Sequence, residues 1–249
     1  IFELTLNNGY DKMSGQQLGL ELGYATDFET YEDLFEAFKK QIKYFLDIKI
    51  QGSNVIEKIF AEYMPVPFLS IITNDCISRG KDYNGGGARY NTKYLQGVGI
   101  GTITDCLSAV KYNVYDKKTF TMAELMQALD DNFEGHDRIL NLVRNKTPKY
   151  GNDDDYADDI MKEVFEYYRS QVTGRPNMLG GMYRINMLPT TCHVYFGDVM
   201  MASPNGRLAH KPVSEGISPE KGADTNGPTA VVKSCAKMDH LQTGGTLLN

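Results

Sequence analysis

The chain has 249 residues, room for one large domain or two small ones, with 41% hydrophobic residues to fill a core and 23% charged residues for an ordinary surface. A net charge of -6, with no run of more than two Lys or Arg, argues against nucleic acid or an anionic membrane as a partner. No apolar run approaches the roughly 20 residues of a membrane span.

Ile1-Phe2-Glu3-Leu4-Thr5-Leu6 reads as the end of an amphipathic helix, closed by Asn7-Asn8-Gly9. With no secretory signal at its head, the chain is expected to be an internal piece of a longer cytoplasmic protein. Residues 10–28 are Gly-rich and polar, a loop. Thr30, with Asp33 three places on, predicts the cap of a long helix. Leu34, Phe35, Phe38, Ile42, Phe45 and Leu46 follow at helical spacing, and the helix is expected to run to Tyr63, before Pro65. A second helix is expected over 68–79. The glycine-rich stretch 79–91 predicts a loop whose backbone closely approaches a neighbour.

A strand and turn precede a helix predicted from Thr104 to Val114. Thr121, with Glu124, caps a helix over 121–133, and a short one follows over 135–145. Asp153, Asp154 and Asp155 open an amphipathic helix over 155–172 and complement its dipole. They lack the alternating ligands of a calcium loop. After Gly174 the pattern turns to strand-like segments, with a strand over 187–196 and a last helix over 228–237.

Local motifs decide little about chemistry. Gly97-Val98-Gly99-Ile100-Gly101 resembles part of a dinucleotide fingerprint, but Asp116 follows a helix and not a second strand, so a tight strand-to-helix turn is expected. His136, His193, His210 and His240 do not share a helix at ligand spacing, so no zinc site is expected. Cys76, Cys106, Cys192 and Cys235 include no CxxC pair and read as reduced thiols. On the predicted strand, Thr190 would share a face with Cys192, and Thr191 with His193. Cys192 and His193 therefore cannot act as a nucleophile and base pair.

The stretches "GGARYNTKYLQGVGIGTITD", "LPTTCHVYFG" and "ASPNGRLAHKPVSEGISP…NGPTAV" resemble, in order, the glycyl radical enzymes, the superfamily that includes pyruvate formate-lyase and glycerol dehydratase. The fuller match is to members that dehydrate trans-4-hydroxy-L-proline to 1-pyrroline-5-carboxylate. The resemblance implies an α/β fold, part of a ten-stranded α/β barrel. Residues 1–208 would be the later half-barrel, and 209–249 the start of a glycine-radical domain. It also implies a protein glycyl radical installed by a separate radical S-adenosylmethionine activating enzyme, no directly bound cofactor and no metal. The partners would be a small-molecule substrate, that activating enzyme and a second copy in a homodimer. A catalytic cysteine, a glutamate and the radical glycine would lie outside this chain, so the chain alone is expected to be inactive. Among its own residues, Thr190 is the position implied to face substrate, with Cys192 and His193 in packing roles, and Pro204-Asn205-Gly206 is expected to form a rigid turn. A non-catalytic scaffold and other glycyl radical lyases, a glycerol or propanediol dehydratase or a formate acetyltransferase-like enzyme, stay open as alternatives.

Overall fold

The computed structural model describes residues 1–249. Ten α-helices carry most of the ordered backbone: α1 (Phe2–Leu6), α2 (Tyr31–Tyr63), α3 (Pro67–Ile72), α4 (Cys76–Arg79), α5 (Ile100–Val110), α6 (Met122–Asp130), α7 (Asp137–Asn145), α8 (Asp155–Val172), α9 (Cys192–Asp198) and α10 (Pro228–Ala236). Four short strands form two sheets. β1 (Tyr10–Asp11) pairs antiparallel with β2 (Gln16–Gln17), and β3 (Lys93–Gln96) pairs parallel with β4 (Tyr183–Asn186).

Helix starts follow the side-chain oxygens that satisfy free backbone donors. Thr30 accepts from the Asp33 N–H while Asp33 returns to the Thr30 backbone, and Thr121 and Glu124 repeat the exchange ahead of α6. Asp154 caps α8 by accepting from the Tyr156 N–H at 3.0 Å. The expected second helix is two, parted at Asp75, whose φ of +76° is left-handed and breaks the helical ladder. α5 does not stop at Val110 but runs on as a π-helical turn over Lys111–Asp116.

α5 is the central element. Nearly every side chain on it is buried, polar ones included, as suits a helix covered on all sides. It packs on α8, which in turn packs on α2 and β4. The first half of α2 faces the core through Leu34, Phe35, Phe38, Ile42 and Ile50. Its second half leaves Val55, Ile56, Ile59 and Phe60 exposed.

β3 and β4 pair in register from Lys93 with Tyr183 to Gln96 with Asn186. On the other side of β4 the chain's end runs alongside. Gly244 N–H donates to Ile185 O at 2.7 Å, Met187 N–H to Gly245 O at 2.8 Å, and Met187 bridges Thr246 in parallel.

The strand expected over 187–196 is not formed. β4 ends at Asn186, residues 188–190 turn, and Cys192–Asp198 is the helix α9. The alternation inferred for Thr190, Thr191, Cys192 and His193 is therefore wrong. The turn closes when His193 N–H and Nδ1 reach back to Thr190 O, at 3.4 and 2.6 Å. Beta-branched and aromatic residues here signal strand by local preference, and tertiary contacts override it.

Candidate functional site

The C-terminal ends of β3 and β4 lie side by side, and the loops leaving them build the candidate site. From β3, Gln96 donates through Nε2 to the carbonyls of Gly97 and Leu188, tying the two loops together. Gly97 has no Cβ because Met187 fills that space, and Gly99, at φ +87°, turns the chain into α5. The stretch 97–101 is thus the strand-to-helix turn expected of it, with Asp116 on helical backbone. The other glycine-rich loop does approach a neighbour closely: a Cβ on Gly86 would lie 2.6 Å from the Leu179 carbonyl oxygen.

From β4 comes the 187–193 turn. The Thr190 hydroxyl is buried there and has no hydrogen-bond partner, and the same holds for Asn186 Oδ1 at the strand's end. A buried hydroxyl without a partner costs about 1–3 kcal/mol, so it calls for an explanation. Asn186 carries no sequence signal that singles it out. His193 follows, 3.6 Å from Glu215 through Nδ1, and Val213 N–H donates to its backbone carbonyl at 3.2 Å. Cys192 is exposed at the start of α9.

Cys106 and Cys235 are not poised as nucleophiles. Burial pushes the Cys106 thiol up to about 12, and it raises Cys235 as well. All four are free thiols.

Behind the loops lies a buried polar layer. In Ala202–Arg207, Gly206 N–H donates to Ser203 O and Ser203 N–H to Arg207 O, both at 2.9 Å, which makes the expected tight turn. Arg207 is buried with no carboxylate in contact; its guanidinium donates to Ser203 Oγ at 3.1 Å and to the carbonyls of Met201, Leu208 and Lys211. Thr102 donates to Glu220, whose carboxyl burial raises above its ordinary range. Asp105 is fully buried. Its Oδ1 accepts from Tyr150 N–H at 3.0 Å, Lys149 stands 3.7 Å from Oδ2, and desolvation lifts its carboxyl to about 7. No three His, Cys, Asp or Glu side chains gather as a metal would need.

Two family models divide the chain. Pyruvate formate lyase-like matches residues 1–197, and Glycine radical matches 213–249. The chain belongs to the pyruvate formate lyase-like family. It is 69% identical over its whole length to trans-4-hydroxy-L-proline dehydratase of Clostridioides difficile and 36% identical to (2S)-3-sulfopropanediol dehydratase of Klebsiella oxytoca. It spans 32% and 31% of these relatives' lengths. Superposed on the crystal structure of the C. difficile hydroxyproline dehydratase with trans-4-hydroxy-L-proline bound, it gives a TM-score of 0.98 over 100% of this chain and 31% of that one. On the glycerol-bound, B12-independent glycerol dehydratase of Clostridium butyricum it gives 0.94 at 37% identity, again over 100% of this chain and 31% of that one.

Membership fixes the fold expectation: this is an α/β portion of a glycyl radical enzyme fold. Within the family frame, β3, β4 and their loops belong to the pyruvate formate lyase-like part. The segment that grips His193 and lies along α5 belongs to the glycine radical part. The site stands where the two meet.

Proposed function

We propose that this chain is the substrate-lining and early radical-domain portion of a glycyl radical dehydratase, with trans-4-hydroxy-L-proline as the substrate. The observation that carries the substrate is the step in similarity, from 36–37% with the sulfopropanediol and glycerol enzymes to 69% with the hydroxyproline enzyme, over the full chain each time. The division runs at 208/209. Thr190 is the substrate-binding residue of this portion, and its unpartnered buried hydroxyl supports that role. A substrate oxygen or carboxylate would complete it, since a hydroxyl can both donate and accept.

In the reaction proposed, a cysteine thiyl radical takes a hydrogen atom from the carbon beside the ring nitrogen, forming an S–H bond. The neighbouring hydroxyl leaves as water with a proton from a glutamate acting as general acid, the ring nitrogen gives up a proton in exchange as the C=N bond forms, and the hydrogen atom returns from the thiol to the carbon that carried the hydroxyl. The product is 1-pyrroline-5-carboxylate. The cysteine, glutamate and radical glycine stand elsewhere in the longer protein. What this chain supplies is the wall that orients the substrate and the scaffold that docks the radical segment. A radical S-adenosylmethionine enzyme activates it, and the protein works as a cytoplasmic homodimer. The exposed apolar run on α2, at Val55, Ile56, Ile59 and Phe60, suits burial against further protein.

The test is an anaerobic assay of the activated full-length protein with hydroxyproline, glycerol and 1,2-propanediol side by side. Turnover of hydroxyproline at the highest kcat/KM supports the assignment, and turnover of a diol alone overturns it. No turnover of any of the three, with a glycyl radical present by electron paramagnetic resonance, would favour the non-catalytic scaffold.

A further inference from the structure

We infer that His193, with Glu215 beside it, is a positioning residue for Thr190, so that the glycine radical segment sets the shape of the substrate wall. The inference rests on the assignment of Thr190 to substrate made above.

Thr190 sits in the short turn between β4 and α9, where no sheet bond holds it. What holds it is its own carbonyl, which accepts from His193 Nδ1 at 2.6 Å and from His193 N–H at 3.4 Å. A carbonyl can only accept, so the proton of a neutral His193 ring is on Nδ1. The bond closes the turn around Thr190 without touching its side chain. Threonine is branched at Cβ and has few rotamers, so fixing its backbone largely fixes its hydroxyl. That hydroxyl stays buried and unpartnered.

His193 is gripped in turn by residues of the glycine radical match. Glu215 Oε2 lies 3.6 Å from the same Nδ1, and Glu215 Oε1 accepts from Asn249 Nδ2 at 2.9 Å. Val213 N–H holds the His193 carbonyl at 3.2 Å. Gly216 backs the turn so closely that a Cβ there would lie 3.2 Å from Pro189 N and 3.3 Å from Met187 O. Apart from the Gln96 bond to the Leu188 carbonyl, the supports of the Thr190 turn from outside it come from the 213–216 stretch or the chain's end. If that stretch withdraws, the turn loses its backing and Thr190 its fixed direction.

The experiment uses the full-length protein, activated anaerobically, with four single variants and one double. His193→Ala raises KM for hydroxyproline about tenfold, the scale of one well-made hydrogen bond. It leaves kcat within about threefold and the glycyl radical signal unchanged, since binding and not chemistry is disturbed. His193→Asn, whose amide can donate from the place of Nδ1, restores KM. Glu215→Gln, on a partly exposed side chain that folding tolerates, moves KM the same way by about threefold. Thr190→Val raises KM alone, and adding His193→Ala to it changes nothing further, as expected when one residue acts through the other. An unchanged KM in His193→Ala, or additive effects in the double variant, beside a raised KM in Thr190→Val, overturns the inference alone. An unchanged KM in Thr190→Val overturns the assignment of Thr190 on which it rests. Hydrogen exchange of the 188–192 amides, faster in His193→Ala, reads the turn itself without activity.

Discussion

Thr102 and Ser214 hold each other by a reciprocal pair of bonds: Thr102 N–H donates to Ser214 Oγ at 3.0 Å, and Ser214 N–H donates to Thr102 Oγ1 at 2.7 Å. Each side chain satisfies the other's backbone, as in a capping box, but across 112 residues of sequence. The first turn of α5 is thereby capped by the glycine radical segment. Ser214→Ala leaves the buried Thr102 N–H without a partner and should cost about 1–3 kcal/mol, read from the shift in a urea unfolding midpoint at unchanged slope. A shift under a few tenths would mean that water replaces the serine.

Gly101 and Gly52 make opposite predictions. A Cβ on Gly101 would lie 2.7 Å from Ser218 O and 2.8 Å from Glu220 N, backbone atoms that cannot step aside cheaply. Gly101→Ala should loosen the 213–220 segment, seen as new protease cuts there. Gly52 is exposed inside α2, and a methyl group added to it would meet nothing within 4 Å, so Gly52→Ala should stabilise by about 0.5–1 kcal/mol, read from thermal melting.

Asp105 gives a pH dependence with a definite sign. Burial lifts its carboxyl from an ordinary 3.8 to about 7, so between those values the folded state binds a proton that the unfolded state has lost. The contribution of this group to stability is full below 3.8 and is lost as the pH rises through 7. Asp105→Asn can keep the bond from Tyr150 N–H through its amide oxygen. The variant should melt less pH-dependently than the parent over that range and higher than it at pH values above about 7. Parallel melting profiles for the two proteins would show that Lys149 keeps Asp105 ionised in the fold.

Arg207 tests the turn at 202–207. Its planar fork serves Ser203 Oγ and three carbonyls at once, and a lysine cannot reach them together. Arg207→Lys should cost about 2–5 kcal/mol, measured by thermal melting. A loss as small as that of a surface substitution would mean that these carbonyls find other donors.

The parts of the fold legible in the sequence are those held by bonds within a few residues. Thr30 with Asp33, Thr121 with Glu124 and Asp154 with Tyr156 mark helix starts because the capping atoms are local. The α2 end at Tyr63 follows from Pro65, and the 155–172 helix from its caps and periodicity. The 187–196 segment misleads because Val194, Tyr195 and Phe196 favour strand while distant chain decides the outcome. Val213 takes the His193 carbonyl, and the Lys211 backbone fills the space where Gly197 would carry a Cβ. Thr190 is singled out by family resemblance and not by spacing. Asn186 and Glu215 are legible neither way, since one is a lone strand-end amide and the other meets His193 only in the folded chain.

The pairing of residues 244–247 with β4 has a consequence for biosynthesis. Met187 takes its sheet partner from Gly245 and Thr246, and the Leu247 N–H returns to Met187 O at 3.3 Å. A nascent chain that has released β3, α5, α8 and β4 from the ribosome therefore has a helical core but an open strand edge beside the Thr190 turn. That edge closes only after some sixty further residues have emerged, and until then its exposed strand needs protection from other nascent chains.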